Sequence, residues 1–226
     1  EQRLSGIDSY DDQVEEFTLR IETLLARAGE LAASITAGRR AAGPKVERHV
    51  TGLLVQLGMP SAQLRIEVAP AGELRADGAD LIRFLFTANR NTSLQPIEKV
   101  ASGGEMSRLM LSLKALVAAH AQLPTIIFDE IDTGVSGAIA DKMGEIITNL
   151  SGSLQVVNIT HLPQVASKGD HHFLVYKEEA PEGTLTRIRK LSTEERVAEI
   201  AKMLSGSAVT AAATEQARLL LGMEKL

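Results

Sequence analysis

The chain has 226 residues, of which 44% are hydrophobic and only 3% aromatic, so it has room for one domain, or one domain with an elongated appendage, around an aliphatic core. A formal net charge of −5 excludes a chain-wide basic footprint for nucleic acid, and any DNA contact must be local or lie on a part of the protein outside this chain. The absence of Cys excludes a disulfide framework and a thiolate metal site and fits a reducing cytosol; no apolar run reaches membrane-span length and no signal peptide is visible, so a cytoplasmic protein without a membrane partner is expected.

The chain opens at Glu1 rather than Met, the expectation for a piece of something longer. From residue 7 to 42 apolar residues recur in heptads. Ile7, Val14, Ile21, Ala28, Ile35 and Ala42 occupy one seam position, and Tyr10, Phe17, Leu24, Leu31 and Gly38 the other. This is a coiled-coil pattern whose partner strand must come from elsewhere; an amphipathic helix lying on a globular core is the other reading. Gly43-Pro44 is expected to interrupt the helix, and a second helical pattern through Val46, Val50, Leu53, Leu54 and Leu57 stops at Gly58.

The texture then changes. Residues 63–69 and 81–88 read as strands joined by a Pro/Gly-containing connection, and 89–100 as a polar loop. A strong helix is predicted over 105–121, a short apolar strand over 125–128, a helix over 137–150 and a β-branched strand over 154–160. Residues 172–176 and 185–191 read as an antiparallel pair around Pro181-Glu182-Gly183, and two helices, 193–204 and 208–221, close the chain. The alternation of strand and helix between 105 and 160 predicts a parallel α/β sheet.

Four stretches carry candidate chemistry. Ser102-Gly103-Gly104-Glu105 reads as a capping box, with Ser102 and Glu105 satisfying the first turn. It also reads as an anion site, because two glycines in a first turn each cost up to about 1 kcal/mol against Ala but let a ligand approach free N–H groups. Thr125 to Glu130 is an apolar strand ending in two carboxylates. Ligands gather beyond the carboxyl ends of parallel strands, and adjacent extended residues point different ways. Asp129 can thus face Mg²⁺ through its waters while Glu130 orients and deprotonates a water, unless both are simply solvated acids opening a loop. Ile131-Asp132-Thr133-Gly134-Val135-Ser136-Gly137 is a structured loop, or only a turn with a cap at Ser136. His161 ends the second strand; if the two strands are parallel neighbours it shares an edge with Asp129 and Glu130, although a lone strand-end His is commonly a structural hydrogen-bonder. His49, His120, His171 and His172 read as structural or surface residues.

The order and spacing of these stretches resemble the ATP-binding-cassette ATPase family, with a signature motif at Ser102–Glu105, a Walker B strand ending at Asp129 and Glu130, a D-loop centred on Asp132 and a switch histidine at His161. Their flanks, Lys99-Val-Ala-Ser-Gly-Gly-Glu105, Phe128-Asp-Glu-Ile-Asp-Thr-Gly-Val-Ser-Gly137 and Thr160-His-Leu-Pro-Gln-Val-Ala166, resemble the RecN family of SMC-like DNA-repair ATPases from about residue 63 to the end. The resemblance implies an α/β fold: the C-terminal lobe of a P-loop NTPase-like head, residues 59–226, with a parallel sheet and flanking helices. A coiled-coil arm and connecting helix, residues 1–58, would precede it. No Gly-x-x-x-x-Gly-Lys-Ser/Thr loop occurs anywhere in the chain. In the family that loop lies in an N-terminal Walker A lobe, which becomes an expected partner. The other expected partners are a second head, joined in an ATP-dependent homodimer, and DNA, through the full-length protein. The implied cofactors are ATP and Mg²⁺, and the implied location is the bacterial cytoplasm, at the nucleoid. Ser102, Gly103, Gly104 and Glu105 would then act on nucleotide held by the other head, while Asp129, Glu130 and His161 act on their own. A non-catalytic coiled-coil scaffold is the contrasting reading, against which the Asp129-Glu130 pair and His161 argue. A transporter cassette is the third, against which the heptads argue.

Overall fold

In the computed structural model, which describes residues 2–100, 102–121, 123–180, 183–206 and 208–223, the first helix, α1 (Gln2–Gln56), runs unbroken through Pro44. The expected interruption at Gly43-Pro44 does not occur. A proline in a helix removes one hydrogen bond and crowds the preceding turn, but here contacts on both sides hold the helix to a sheet. Before it, the Thr36 hydroxyl lies 2.9 Å from both Asp80 carboxylate oxygens and Arg39 Nη1 lies 3.0 Å from Asp80 Oδ2. At Gly43, which is buried, an added Cβ would stand 3.9 Å from Ile66 Cβ. After it, the Ile66 N–H donates to Glu47 Oε1 at 2.7 Å. Pro44 itself faces solvent.

The chain divides into two compact units, Glu1–Arg48 with Gln63–Thr87 and Asn91–Lys99, and His49–Ala62 with Ala88–Arg90 and Val100–Leu226. In the first, β1 (Gln63–Arg75) and β2 (Gly78–Thr87) pair antiparallel, with Gln63 opposite Thr87, and a short β3 (Gln95–Pro96) pairs with β2. The strands run further than the sequence suggests. Pro70 stays within β1, at the edge of a register shift that ends at Arg75 opposite Gly78, which is where a strand tolerates proline. The apolar seam of α1 is exposed, and a different set of residues faces the sheet. Ala32, Thr36, Arg39 and Gly43 turn inward, whereas Tyr10, Val14, Phe17, Ile21, Leu24, Leu31 and Ile35 are 40% to 69% exposed. The side chain of Ile7, the first seam residue, lies outside the described residues.

In the second unit the chain leaves α1 at Gly58, whose φ of +77° only glycine adopts cheaply and whose missing Cβ makes way for Ile139 Cδ1, 2.6 Å from where it would stand. Then come α2 (Gly103–His120), β4 (Thr125–Asp129), α3 (Gly137–Ser151) and β5 (Gln155–Ile159). The two strands are parallel, with Thr125 opposite Gln155 and Asp129 opposite Ile159, as the alternation predicted. One face of this sheet packs on an aliphatic core around Phe128, with Leu111, Met143, Ile146 and Leu150 from the flanking helices. Fully burying a side chain such as Phe128 contributes about 1.5–3 kcal/mol. The other face leaves Ile127, Val157 and Ile159 exposed by 60%, 43% and 51%. A short helix, α4 (Pro163–Ala166), which the sequence did not reveal, follows β5. The hairpin β6 (Phe173–Ala180) and β7 (Gly183–Lys190) matches the predicted pair; Pro181 and Glu182 of its turn lie outside the described residues. The closing helices α5 (Thr193–Ser205) and α6 (Ala211–Leu220) pack through Ile200, Ala201, Ala213 and Ala217.

Candidate active site

The apolar run Thr125–Phe128 forms a strand because its β-branched and aromatic residues fit a pleated, half-buried surface, and it surfaces at Asp129, which is exposed. The Glu130 N–H still donates to the Ile159 carbonyl at 3.1 Å, one step beyond the ladder. There the backbone turns sharply. Glu130 has φ +46°, the only non-glycine with positive φ among the described residues. Such a conformation costs about 1–3 kcal/mol and persists where the surroundings over-determine it, often at functional sites. Thr133 supplies the restraint: its N–H and its hydroxyl both donate to the Glu130 carbonyl, at 3.3 and 2.8 Å.

The loop then doubles back on α2. Gly134 has φ +74°, and a Cβ there would stand 3.3 Å from Gly104 Cα; a Cβ on Gly104 would stand 3.5 Å from the carbonyl oxygens of Thr133 and Gly134. The start of α2 and the loop after β4 are therefore neighbours within one chain. The tight side of this approach is Gly134; a Cβ on Gly104 would make ordinary van der Waals contact, and one on Gly103 would meet nothing within 4 Å. Ser102 is the N-cap of α2 by backbone geometry, with the Met106 N–H donating to its carbonyl at 3.0 Å, but its side chain makes no capping bond, so the capping-box reading of Ser102 and Glu105 fails. Ser136, before α3, likewise makes no side-chain capping bond. Ala101 lies outside the described residues.

His161 follows β5 at the same sheet edge as Asp129 and Glu130, the placement that parallel pairing required. Its side chain is 65% exposed, and its Nδ1 lies 3.7 Å from Oδ1 of Asp132, whose own side chain is fully buried. The Thr160 hydroxyl donates to Asp132 Oδ2 and accepts from the Leu162 N–H at 3.0 Å. Sequence reasoning missed Thr160 and Gly134. Thr160 adjoins a residue already singled out, and Gly134 lies in a loop already singled out, but only the fold shows what each touches.

This edge offers a backbone-rich helix start, two carboxylates and an imidazole. Among the described residues no group of three or more His, Asp or Glu is arranged to hold a metal. One exposed carboxylate at Asp129 fits Mg²⁺ held mainly by water and phosphate oxygens rather than by a protein cage. Among the described residues, two groups outside the site have displaced pKa values. Burial, then the Arg196 guanidinium, lowers His172, with Glu199 opposing. The Ser192 N–H, then Arg189, lowers Glu195. No described helix is long and apolar enough to cross a membrane.

No protein-family model matches the chain. It is 40% identical over 192 residues to the DNA repair protein RecN of Rickettsia typhi, covering 85% of this chain and 35% of that one. Against the same-named proteins of Vibrio cholerae and Halalkalibacterium halodurans it is 34% identical in each case, over 97% and 99% of its length and 40% of theirs. The chain thus spans well under half the length of these relatives. Among solved structures it is similar to an Smc head domain with coiled coil and joint from Pyrococcus yayanosii, with a TM-score of 0.56 and 19% identity over 71% of this chain and 29% of that one. It is also similar to a chain from a structural study of ATP-driven dimerisation of SMC ATPases, with a TM-score of 0.53 and 16% identity over 77% of this chain and 99% of that one. At these identities the structural likeness is one of fold.

Proposed function

The chain belongs to the RecN family and has the fold of an SMC ATPase head, and on that premise we propose that it is the C-terminal half of a Mg²⁺-dependent ATPase acting in DNA double-strand-break repair. The observation that carries the reading is the convergence of Asp129, Glu130 and His161 at the carboxyl edge of two parallel strands, with Glu130 held in a left-handed conformation. In this reading residues 59–226 are the lobe and residues 1–58 the arm, whose exposed seam receives the other strand of a coiled coil. ATP binds at a head–head interface, and its phosphate cradle comes from an upstream Walker A lobe. The exposed apolar sheet face at Ile127, Val157 and Ile159 supports a missing lobe, since such a face ordinarily needs cover.

When bound, Mg²⁺ would supply charge neutralisation for the phosphates. Asp129 would hold the ion, Glu130 would orient the attacking water and take its proton, and His161 would contact the nucleotide of its own head. Ser102, Gly103, Gly104 and Glu105 present the positive end of α2 to phosphate on the second head. DNA contact, and the nucleoid location that goes with it, belong to the full-length protein. ATP turnover by this chain alone and by this chain joined to its upstream lobe tests the reading. The expected result is no turnover alone and turnover when joined; turnover by the pure chain that disappears in Glu130→Gln would sink the half-site account.

A further inference from the structure

Asp132 is the buried acid that the reaction scheme leaves without a task. Its side chain is wholly excluded from solvent, in a loop whose other polar residues, Thr133 and Ser136, are exposed. A solvated loop aspartate needs no explanation; a buried one costs several kcal/mol in desolvation unless its oxygens are paired. One oxygen is: Oδ2 receives the Thr160 hydroxyl. That hydroxyl is itself fixed, because it also accepts the Leu162 N–H at 3.0 Å. The other, Oδ1, is buried with no hydrogen-bond partner, and the cation-forming group within reach of it is the His161 ring, whose Nδ1 lies 3.7 Å away. A buried unpartnered carboxylate oxygen in a native fold calls for a specific partner. A ring 65% exposed has the freedom to close the remaining few tenths of an ångström to hydrogen-bond length.

We propose that Asp132 is a positioning residue for His161: with Thr160 occupying Oδ2, Oδ1 accepts the His161 Nδ1–H and fixes that nitrogen as the protonated one. In the neutral ring Nε2 is then the acceptor nitrogen, and in the cation it is a donor. The carboxylate thus determines both the tautomer and the ring orientation, as buried partners of functional histidines do. This assigns Asp132 an inward task within its own head. The proposal rests on the ATPase reading only for its consequence in turnover; the tautomer itself is a property of this chain.

The test is the ¹⁵N spectrum of His161 in this chain, at a pH where the ring is neutral, assigned with His161→Gln. The native chain is expected to show the Nδ1–H tautomer. In Asp132→Asn the amide oxygen is taken by the Thr160 hydroxyl, so the NH₂ faces His161 and the ring is expected to switch to Nε2–H. Thr160→Val, which removes only the hydroxyl that locks the carboxylate, is expected to give a mixture, and it replaces Asp132→Asn if that variant does not fold. In the complete protein Asp132→Asn is expected to lower kcat by about 10²-fold, the lower end of what a positioned proton-transfer group contributes, with KM for ATP within about twofold of native. A predominantly Nε2–H ring in the native chain, or an unchanged tautomer in the folded variants, overturns the proposal. A native complete protein that hydrolyses no ATP overturns the ATPase reading instead and leaves the tautomer result standing.

Discussion

Ser102 to Glu105 opens α2 and Ser192 to Glu195 opens α5 with the same Ser-x-x-Glu spacing, yet only one of the two closes on itself. At α5 the Glu195 N–H donates to Ser192 Oγ at 3.3 Å, the Ser192 N–H donates to Glu195 Oε2 at 2.8 Å, and Arg189 pairs with the other carboxylate oxygen. That is a complete capping box. At α2 the serine is in N-cap geometry, but its side chain makes no capping bond, and the first turn is two glycines. The difference lies in the middle pair. Thr193 and Glu194 build an ordinary first turn, whereas Gly103 stands open and Gly104 lies against the loop at Gly134. Closed, the pattern satisfies the first turn from within; left open, it leaves the first-turn N–H groups without a side-chain cap, the condition that the proposed phosphate contact requires.

The largest effect should fall beside the open α2 start, at the end of β4. In the complete protein Glu130→Gln is expected to cut steady-state ATP turnover by about 10²–10⁴-fold, because Gln keeps the shape but cannot take the proton. ATP binding should survive, and ATP-bound head dimers should accumulate, visible by light scattering. Asp129→Ala should instead weaken Mg²⁺-nucleotide binding itself. If Glu130→Gln abolishes nucleotide binding as well, Glu130 is a metal ligand or a structural residue.

A smaller effect separates the two serines in stability. Urea unfolding of this chain should show Ser192→Ala costing about 1 kcal/mol, the usual loss for an N-cap side chain, and Ser102→Ala within roughly 0.5 kcal/mol of native. The smallest effect is the acid dependence of that gap. Glu195 has a lowered pKa in the fold, so its contribution is present above the ordinary carboxylate range and is lost as pH falls through its lower folded-state value. The cost of Ser192→Ala should therefore shrink in acid. Equal costs for the two serines at neutral pH would erase the distinction.

Much of this was legible from local pattern. The parallel pair followed from alternating strand and helix, and β4 and β5 sit in register with His161 on the expected edge because period and breaker residues agree there. Pro44 misled, because a local rule was outweighed by Glu47, Thr36 and Arg39, whose partners on β1, β2 and their connecting turn lie far along the chain. The strands around Pro70 ran longer than expected because a bulge absorbs proline. The Asp132–Thr160–His161 arrangement was beyond sequence reasoning for a similar reason: the three residues were visible, but which of them is buried depends on how the loop closes over the sheet.

The central claim is that the open start of α2 serves phosphate on another head rather than its own. Ser102→Arg in the complete protein tests it most directly, with ATP affinity of the monomeric head and ATP-driven dimerisation measured on the same preparation. The account predicts ATP affinity within about twofold of native, since a group that acts only in the dimer leaves monomer binding unchanged, together with loss of dimers and of turnover. Loss of ATP binding by the monomeric head, with its fold intact by circular dichroism, would contradict it.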